Sequence, residues 1–285
     1  MSGFRDNITR LVKTLSAEEV QHTLPSLDAP YPILYLPSKQ LVFQLVPIPT
    51  HSIDLGSQYV LQNLSFEARK LNLRFINIYE DFSYIKRQVV AQRISAILGE
   101  FTSIHARNTS VSRINKQTLD SFLQRNHLYN SPTARYKYGL FYKNELVAAA
   151  SFSSGRPIER NGIIFRSFEL VRFANISGHI VVGGVGKLLK HFIHEVKPDD
   201  VMSYADLDWS SGSSYEKLGF QLDGATPPQT FWINPEEKIR YYPHKLPLKL
   251  IAESREKNLP IEEVLALHSY YRFFNSGNLK YLLIP

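Results

Sequence analysis

The stretch Val181–Phe220, VVGGVGKLLKHFIHEVKPDDVMSYADLDWSSGSSYEKLGF, decides the fold. A glycine-rich turn, Gly183-Gly184-Val185-Gly186, opens an amphipathic helix. A short apolar strand follows and ends at Asp206. A second helix then carries Tyr215-Glu216-Lys217 and closes on Leu218-Gly219-Phe220. Glycines at a helix N-terminus let backbone N–H groups approach a phosphate, and the helix dipole favours the negative charge. The stretch therefore reads as a pyrophosphate cradle of Val182, Gly183, Gly184, Val185, Gly186 and Lys187, with a strand end and a tyrosine close behind it. A structural reading stands beside this one: the glycines allow tight strand-to-helix packing, and Tyr215 fills a core. His191 and His194, spaced three apart like Lys187 and Lys190, read as the solvated face of the first helix.

This order resembles the GNAT superfamily of acyl-CoA-dependent N-acyltransferases. The resemblance implies that Gly184 and Gly186 belong to the turn that holds the CoA pyrophosphate. It matches Tyr215 to a tyrosine that often serves as general acid to the leaving thiolate, and Gly219-Phe220 to the pair that follows it. Val181 stands where that family has Gln or Arg, which removes one polar contact and leaves the backbone donors. The implied fold is α/β (α+β): a mixed, mostly antiparallel sheet with flanking helices. In it the strands carrying Arg172 and Asp206 splay apart around the acyl group. The implied cofactor is acetyl-CoA or another acyl-CoA, with no metal.

The chain has 285 residues, 44% of them hydrophobic, enough for one large or two ordinary domains with a sizeable core. No apolar run reaches the roughly 18 residues of a membrane span. The first twenty residues lack a secretory apolar core and read as an amphipathic helix. The absence of cysteine excludes disulfides and thiolate metal sites, and fits a cytoplasmic location. The net charge of +7 is unevenly placed. Residues 101–140 hold Arg107, Arg113, Lys116, Arg125, Arg135 and Lys137 against Asp120 alone. A basic, aromatic-interleaved window suits a phosphate-rich partner, DNA or another nucleic acid, with Arg172 as a further contact. An ordinary solvated surface, or use of part of this charge by CoA, would account for it equally. Oligomeric state is not legible in the sequence.

Along the chain, residues 5–24 read as a helix, and Ile33–Leu36 with Leu41–Val46 as a hairpin. Gln58–Leu71 is expected as a helix, Arg74–Tyr79 as a strand and Tyr84–Leu98 as a helix. Ile104–Ile114 reads as an extended connector and Lys116–Arg125 as a helix. Tyr136–Tyr142 and Leu146–Phe152 form a hairpin, and Phe165–Phe173 is a long strand. Gln229–Ile233 is expected to close the sheet. Pro260–Tyr270 reads as a helix, and the apolar segment Leu279–Ile284 is expected to pack back onto a domain. The corresponding boundaries are a first domain at 1–100, a basic connector at 101–115, an acyltransferase-like domain at 116–243 and a tail at 244–285.

The first of these, through Ile33–Pro37, Phe43-Gln44 and Arg74–Asp81, is similar to the very-short-patch-repair-like endonucleases of phage homing proteins, relatives of the PD-(D/E)xK nucleases. That resemblance places Ile33 and Gln44 where two Mg²⁺-binding carboxylates belong. Glu80 and Asp81 persist and read as a helix N-terminal cap. The domain is therefore expected to be a degenerate remnant and not an active nuclease. Ile104–Arg107, Asn126-His127, Gly139–Val147, Glu169–Phe173, Ser203–Asp206 and Trp209-Ser210 resemble the GNAT-like domain that follows such nucleases. They are more distantly similar to Mom-like phage DNA-modification proteins.

An amine must be neutral to attack an acyl carbonyl, so a base is needed, and His127 and Asp206 are the candidates. Tyr215 is the candidate acid. Asp206 could equally cap the next helix, and His127 could be a helix C-terminal residue facing the dipole. Glu169 and Arg172, three apart on a strand, are expected on opposite faces, and Arg172 could be a structural ion-pair partner. Three functions follow from these readings: an acyl-CoA-dependent N-acyltransferase acting on or near nucleic acid, a catalytically inactive DNA-binding protein, or an acyltransferase for a small amine or protein.

Overall fold

The computed structural model describes residues 2–48, 57–129 and 131–285. They form two compact units, neither contiguous in sequence. One comprises the described residues up to Arg87, together with Asp206–Ser211 and Ala225–Asn278. The other comprises Gln88–Ala205, Gly212–Gly224 and Leu279–Pro285. The division thus differs from boundaries at 100, 115 and 243, because strand pairing gathers segments far apart in the chain.

In the first unit, Ile33–Leu36 pairs antiparallel with Leu41–Val46 across a 3₁₀ turn at Pro37–Lys39. Leu41–Val46 then pairs parallel with Arg74–Tyr79. Parallel neighbours need a crossover, and the helix Val60–Lys70 provides it. Leu27, Ile33, Val42, Leu64, Ala68 and Phe75 form the core beneath. The N-terminal helix stops at Ser16, before a left-handed Ala17. The helix expected over Tyr84–Leu98 is two helices, Glu80–Ile85 and Arg87–Leu98.

Thr230–Ile233 does not close the large sheet. It lies between Arg240–Tyr241 and Tyr271–Phe274 in a separate antiparallel sheet of the first unit. Its aromatic side chains determine this: Phe231 stacks on Phe273 with centroids 5.6 Å apart, and Trp232 joins Leu246, Leu250, Val264 and Leu265. Those leucines and the valine come from the flanking helices Leu248–Lys257 and Ile261–Leu267 and the residues just before them. The helix expected over Pro260–Tyr270 spans Ile261–Leu267 and does not extend past Ser269, which is left-handed.

The positions compared with nuclease carboxylates sit opposite each other. Ile33 and Gln44 are register partners, and both are buried. Gln44 Nε2 donates to Asn77 Oδ1 at 2.7 Å, and Asn77 Nδ2 donates to Asp208 Oδ1 and Ser276 Oγ. Glu80 Oε2 accepts from Ile48 N at 2.8 Å, and Asp81 takes two hydrogen bonds from Arg240, at 3.0 and 3.1 Å. Glu80 and Asp81 begin a helix, as expected, but their carboxylates bind these other partners and do not cap it. No cluster of three carboxylate, histidine or cysteine side chains able to hold a metal occurs among the described residues.

Asp208 is buried at the centre of this network. Burial first, then the Asp206 charge, pushes its carboxyl up to about 7, against hydrogen bonds from Ser276 and Asn77 and the charge of Arg240. The folded chain thus keeps a proton that an unfolded aspartate releases near pH about 4. Stability from this group is complete below about pH 4 and is lost as pH rises through 7. Asp208→Asn should flatten the fall in urea midpoint between pH 4 and 7, and an undiminished slope would exclude Asp208 as its source.

The second unit holds the large sheet. Its strand order is Gln221–Ala225, Asn278–Leu283, Asp200–Asp206, Ile163–Asn175, Glu145–Phe152, Tyr136–Tyr142 and Ser110–Arg113. A ribbon strand, Arg156–Arg160, pairs with the start of Ile163–Asn175. The expected connector is part of this unit: Ser110–Arg113 edges the sheet, and Thr102–His105 pairs parallel with His179–Val182. The closing apolar segment becomes the strand Asn278–Leu283. Phe152 and Phe192 stack at 4.0 Å in the core, with Phe168 edge-on to Phe192. The pairs from Ser110–Arg113 to Ile163–Asn175 are antiparallel, and Asp200–Asp206 against Ile163–Asn175 is parallel. No helix among the described residues is long and apolar enough to cross a membrane.

Candidate active site

The parallel pair opens into a fork. Asp200, Val201, Met202 and Ser203 pair with Ser167, Phe168, Glu169 and Leu170, and the register ends there. On its other side, the long strand pairs Ser151 with Arg172 but Phe152 with Leu170, so Val171 is an extra, bulged residue. A bulge bends a strand and raises its local twist, which parts the two strands at Leu170 and Ser203. It also shifts the alternation of side chains. Glu169 and Arg172 were expected on opposite faces; the extra residue makes their separation effectively two, and both charges act on Tyr215.

Tyr215 Oη lies at the vertex of the fork. Ser203 Oγ is 3.0 Å from the Tyr215 hydroxyl and 3.0 Å from the Leu170 carbonyl. The tyrosine ring is fixed by stacking on Tyr281 at 5.4 Å and by Phe220 edge-on at 5.4 Å. The helix that presents it is a single turn, Ser213–Glu216, and its N-cap must be glycine: a Cβ on Gly212 would meet Tyr281 Oη at 2.1 Å. Phe220 is brought back under the ring by its backbone bond to Tyr215 O at 3.1 Å. Burial, the largest influence, raises the Tyr215 hydroxyl above its ordinary value, so it keeps its proton through the neutral range. Burial likewise raises Glu169, with Arg156 and Arg172 opposing.

The helix linking the two strands, Gly184–Val196, carries the cradle. Gly183 caps it in the left-handed region (φ 77°), and no side chain caps the first turn. The amides of Gly184, Val185 and Gly186 thus have no carbonyl within the helix to bind. Gly183 and Val182 are exposed, whereas Val181 is buried. The buried glycines serve packing: a Cβ on Gly186 would lie 2.9 Å from Leu218, and one on Gly184 3.0 Å from Val181. Gly186→Val should therefore cost roughly 1–3 kcal/mol by overpacking, read as a lowered urea midpoint; an unchanged midpoint would remove the packing role.

Lys187 is not on a solvated face, and His191, with 39% of its side chain exposed, is only partly on one. Lys187 Nζ donates to the carbonyls of Ala106, at 2.9 Å, and Thr109, and so ties the helix to the 3₁₀ turn Ala106–Asn108. His191 packs edge-on to Tyr138 at 5.0 Å. Lys190 and His194 are exposed, as expected. The Lys187 bonds bring Arg107, exposed on that turn, beside the cradle, a neighbour that sequence spacing gave no sign of. A groove of about 400 Å³ borders the same turn, lined in part by His105, Asn108, Lys143 and His179.

The other sequence candidates are not gathered. Arg113 pairs with Glu195, Lys116 with Asp120, and Arg125 Nε donates to Ser121 O of its own helix. Two of the six cations of residues 101–140, Arg113 and Lys116, thus have carboxylate partners among the described residues. His127 ends the helix Lys116–Asn126, and its Nδ1 lies 3.0 Å from Tyr129 N and 3.2 Å from Tyr129 O. Asp206 falls in the other unit and forms a turn: its Oδ1 accepts from Asp208 N, and its carbonyl accepts from Trp209 N and Ser210 N. The following helix starts later, at Ser213, so Asp206 does not cap it.

No family model matches the chain, and no curated protein matches it. Solved structures do. The ribosomal-protein-S18-alanine N-acetyltransferase from Escherichia coli is similar over 61% of this chain and 92% of its own, at 12% identity and a TM-score of 0.37. A GNAT family acetyltransferase from Elizabethkingia anophelis, crystallised with acetyl-CoA, is similar over 62% and 99%, at 13% identity and 0.33. A Corynebacterium glutamicum protein described as histone acetyltransferase HPA2 and related acetyltransferase covers 42% and 88%, at 17% identity and 0.33. The fold is mixed α/β, a largely antiparallel sheet with flanking helices and one forked parallel pair.

Proposed function

We propose that the second unit is an acyl-CoA-dependent N-acyltransferase. One observation carries the reading: the fork opens at Leu170 and Ser203, and the Tyr215 hydroxyl is held at its vertex by Ser203. The helix that joins the forked strands carries the uncapped amides of Gly184, Val185 and Gly186, so a phosphate site and an acid belong to one crossover. The chain's residues fit CoA, with these amides and Gly183 facing the pyrophosphate and Arg107 beside it. Lys187, committed to Ala106 and Thr109, is not among them. Acyl-CoA bound there would supply the thioester carbonyl that an amine attacks.

The protein's own groups divide the proton work. Tyr215, kept protonated by burial, is the donor toward the leaving group. Glu169, the half-buried carboxylate on the same side, takes the proton that the attacking amine gives up; its raised affinity for a proton suits that role. His127 is turned to the Tyr129 backbone through Nδ1 and is given no step in this reading. Asp206 has the geometry of a turn former. The site residues bear on an amine acceptor, and the reading extends to an amine and no further. The test is thiol release from acetyl-CoA by the full chain with a panel of amines. Amine-dependent release, lost in Glu169→Gln, supports the reading; no release with any amine despite CoA binding would sink it.

A further inference from the structure

We infer that the fork receives a substrate bearing a carboxylate and that Arg172 recognises it. The inference deepens the acyl-transfer reading and rests on it for which molecule brings the carboxylate. Arg172 is half-buried, and its Nε is buried with no hydrogen-bond partner among the described residues. Its Nη1 donates to the carbonyl of its own neighbour, Val171, at 2.8 Å, and the guanidinium lies over the Tyr129 ring at 5.6 Å. It makes no ion pair among the described residues. Arg113 pairs with Glu195, and Arg166 donates to the carbonyls of Val196 and Lys197 at a helix end; Arg160, whose Nη2 is likewise buried without a partner, differs from Arg172 in pairing with the Asp200 carboxylate.

The bulge at Val171 turns this side chain to the side of Tyr215 and Glu169. Glu169 tempers the charge without an ion pair. A cation withdrawn from water without a partner is costly, and a guanidinium matches a carboxylate with two parallel hydrogen bonds. Phosphate fits less well, because its second charge would stand uncompensated beside Glu169. The carboxylate can come from the acyl chain of the donor or from the amine acceptor, and binding separates the two.

Calorimetry on the full chain compares succinyl-CoA with acetyl-CoA, then alanine with alaninamide in the presence of CoA. At least tenfold tighter binding of succinyl-CoA, abolished in Arg172→Gln, places the carboxylate on the donor. The same preference for alanine, abolished in the same variant, places it on the acceptor. Arg172→Lys, which keeps the charge but not the two-pronged geometry, should retain part of the preference, and it serves if the Gln variant does not fold. If CoA binds but neither carboxylate is preferred, or if the preference survives in both variants, the inference is overturned while the acyl-transfer reading stands. If no CoA compound binds, that reading fails. Free succinate against succinamide then decides the inference alone: an Arg172-dependent tenfold preference upholds it, and equal binding overturns it.

Discussion

Tyr215→Phe should lower turnover by roughly 10²–10⁴-fold, the range typical of a lost acid or base, with donor affinity unchanged. The ring would keep its places against Tyr281 and Phe220, and Ser203 Oγ would still donate to the Leu170 carbonyl. The stability loss should be that of one hydrogen bond, about 1 kcal/mol. Steady-state kinetics with a verified acceptor and calorimetry with CoA measure the two quantities separately. Equal losses in both would mean that the variant disturbs the fork itself, and wild-type turnover would remove Tyr215 from the chemistry.

The largest stability effect is expected in the first unit, from Arg240→Met. Arg240 is 5% exposed in its side chain, and its partner Asp81 is fully buried. The guanidinium also lies 3.8 Å from the Phe231 ring centroid, 4.2 Å from Phe82 and 4.7 Å from Tyr79. Methionine fills much of this aromatic cage but leaves the Asp81 carboxylate buried without its charge partner. Losses of about 3–5 kcal/mol accompany such a break, and the denaturant midpoint should fall accordingly with the slope m unchanged. Combining the change with Asp81→Asn should recover part of the loss. If the single variant keeps the wild-type midpoint, the pair does not hold this unit together.

The features readable from the sequence were local ones. The glycine turn, the tyrosine and the Gly219-Phe220 pair occupy fixed spacings in one continuous stretch, and the structure places them as that spacing implies. The hairpin expected over Tyr136–Tyr142 and Leu146–Phe152 likewise forms, as the strands Tyr136–Tyr142 and Glu145–Phe152. What stayed hidden depends on partners distant in the chain. The bulge at Val171 exists only relative to Phe152, and without it Glu169 and Arg172 read as facing apart. Lys187 looks like any helix-surface lysine until the carbonyls of Ala106 and Thr109 are brought to it. Thr230–Ile233 has the composition of a strand for either sheet, and its pairing with Tyr271–Phe274 decides which. Ile33 and Gln44 are register partners, and their burial ties them to the core, which their place in the sequence does not reveal.

The central claim is that the turn at Gly183–Gly186 holds CoA beside the fork. Titrating acetyl-CoA into isotope-labelled protein, with the backbone amides followed by NMR, tests it most directly. Saturable shifts are expected at Gly184, Val185 and Gly186, joined by Arg107 on the neighbouring turn and by Leu170 and Ser203 at the vertex. Saturable shifts that leave these amides unmoved, or no shifts at millimolar ligand, would contradict it.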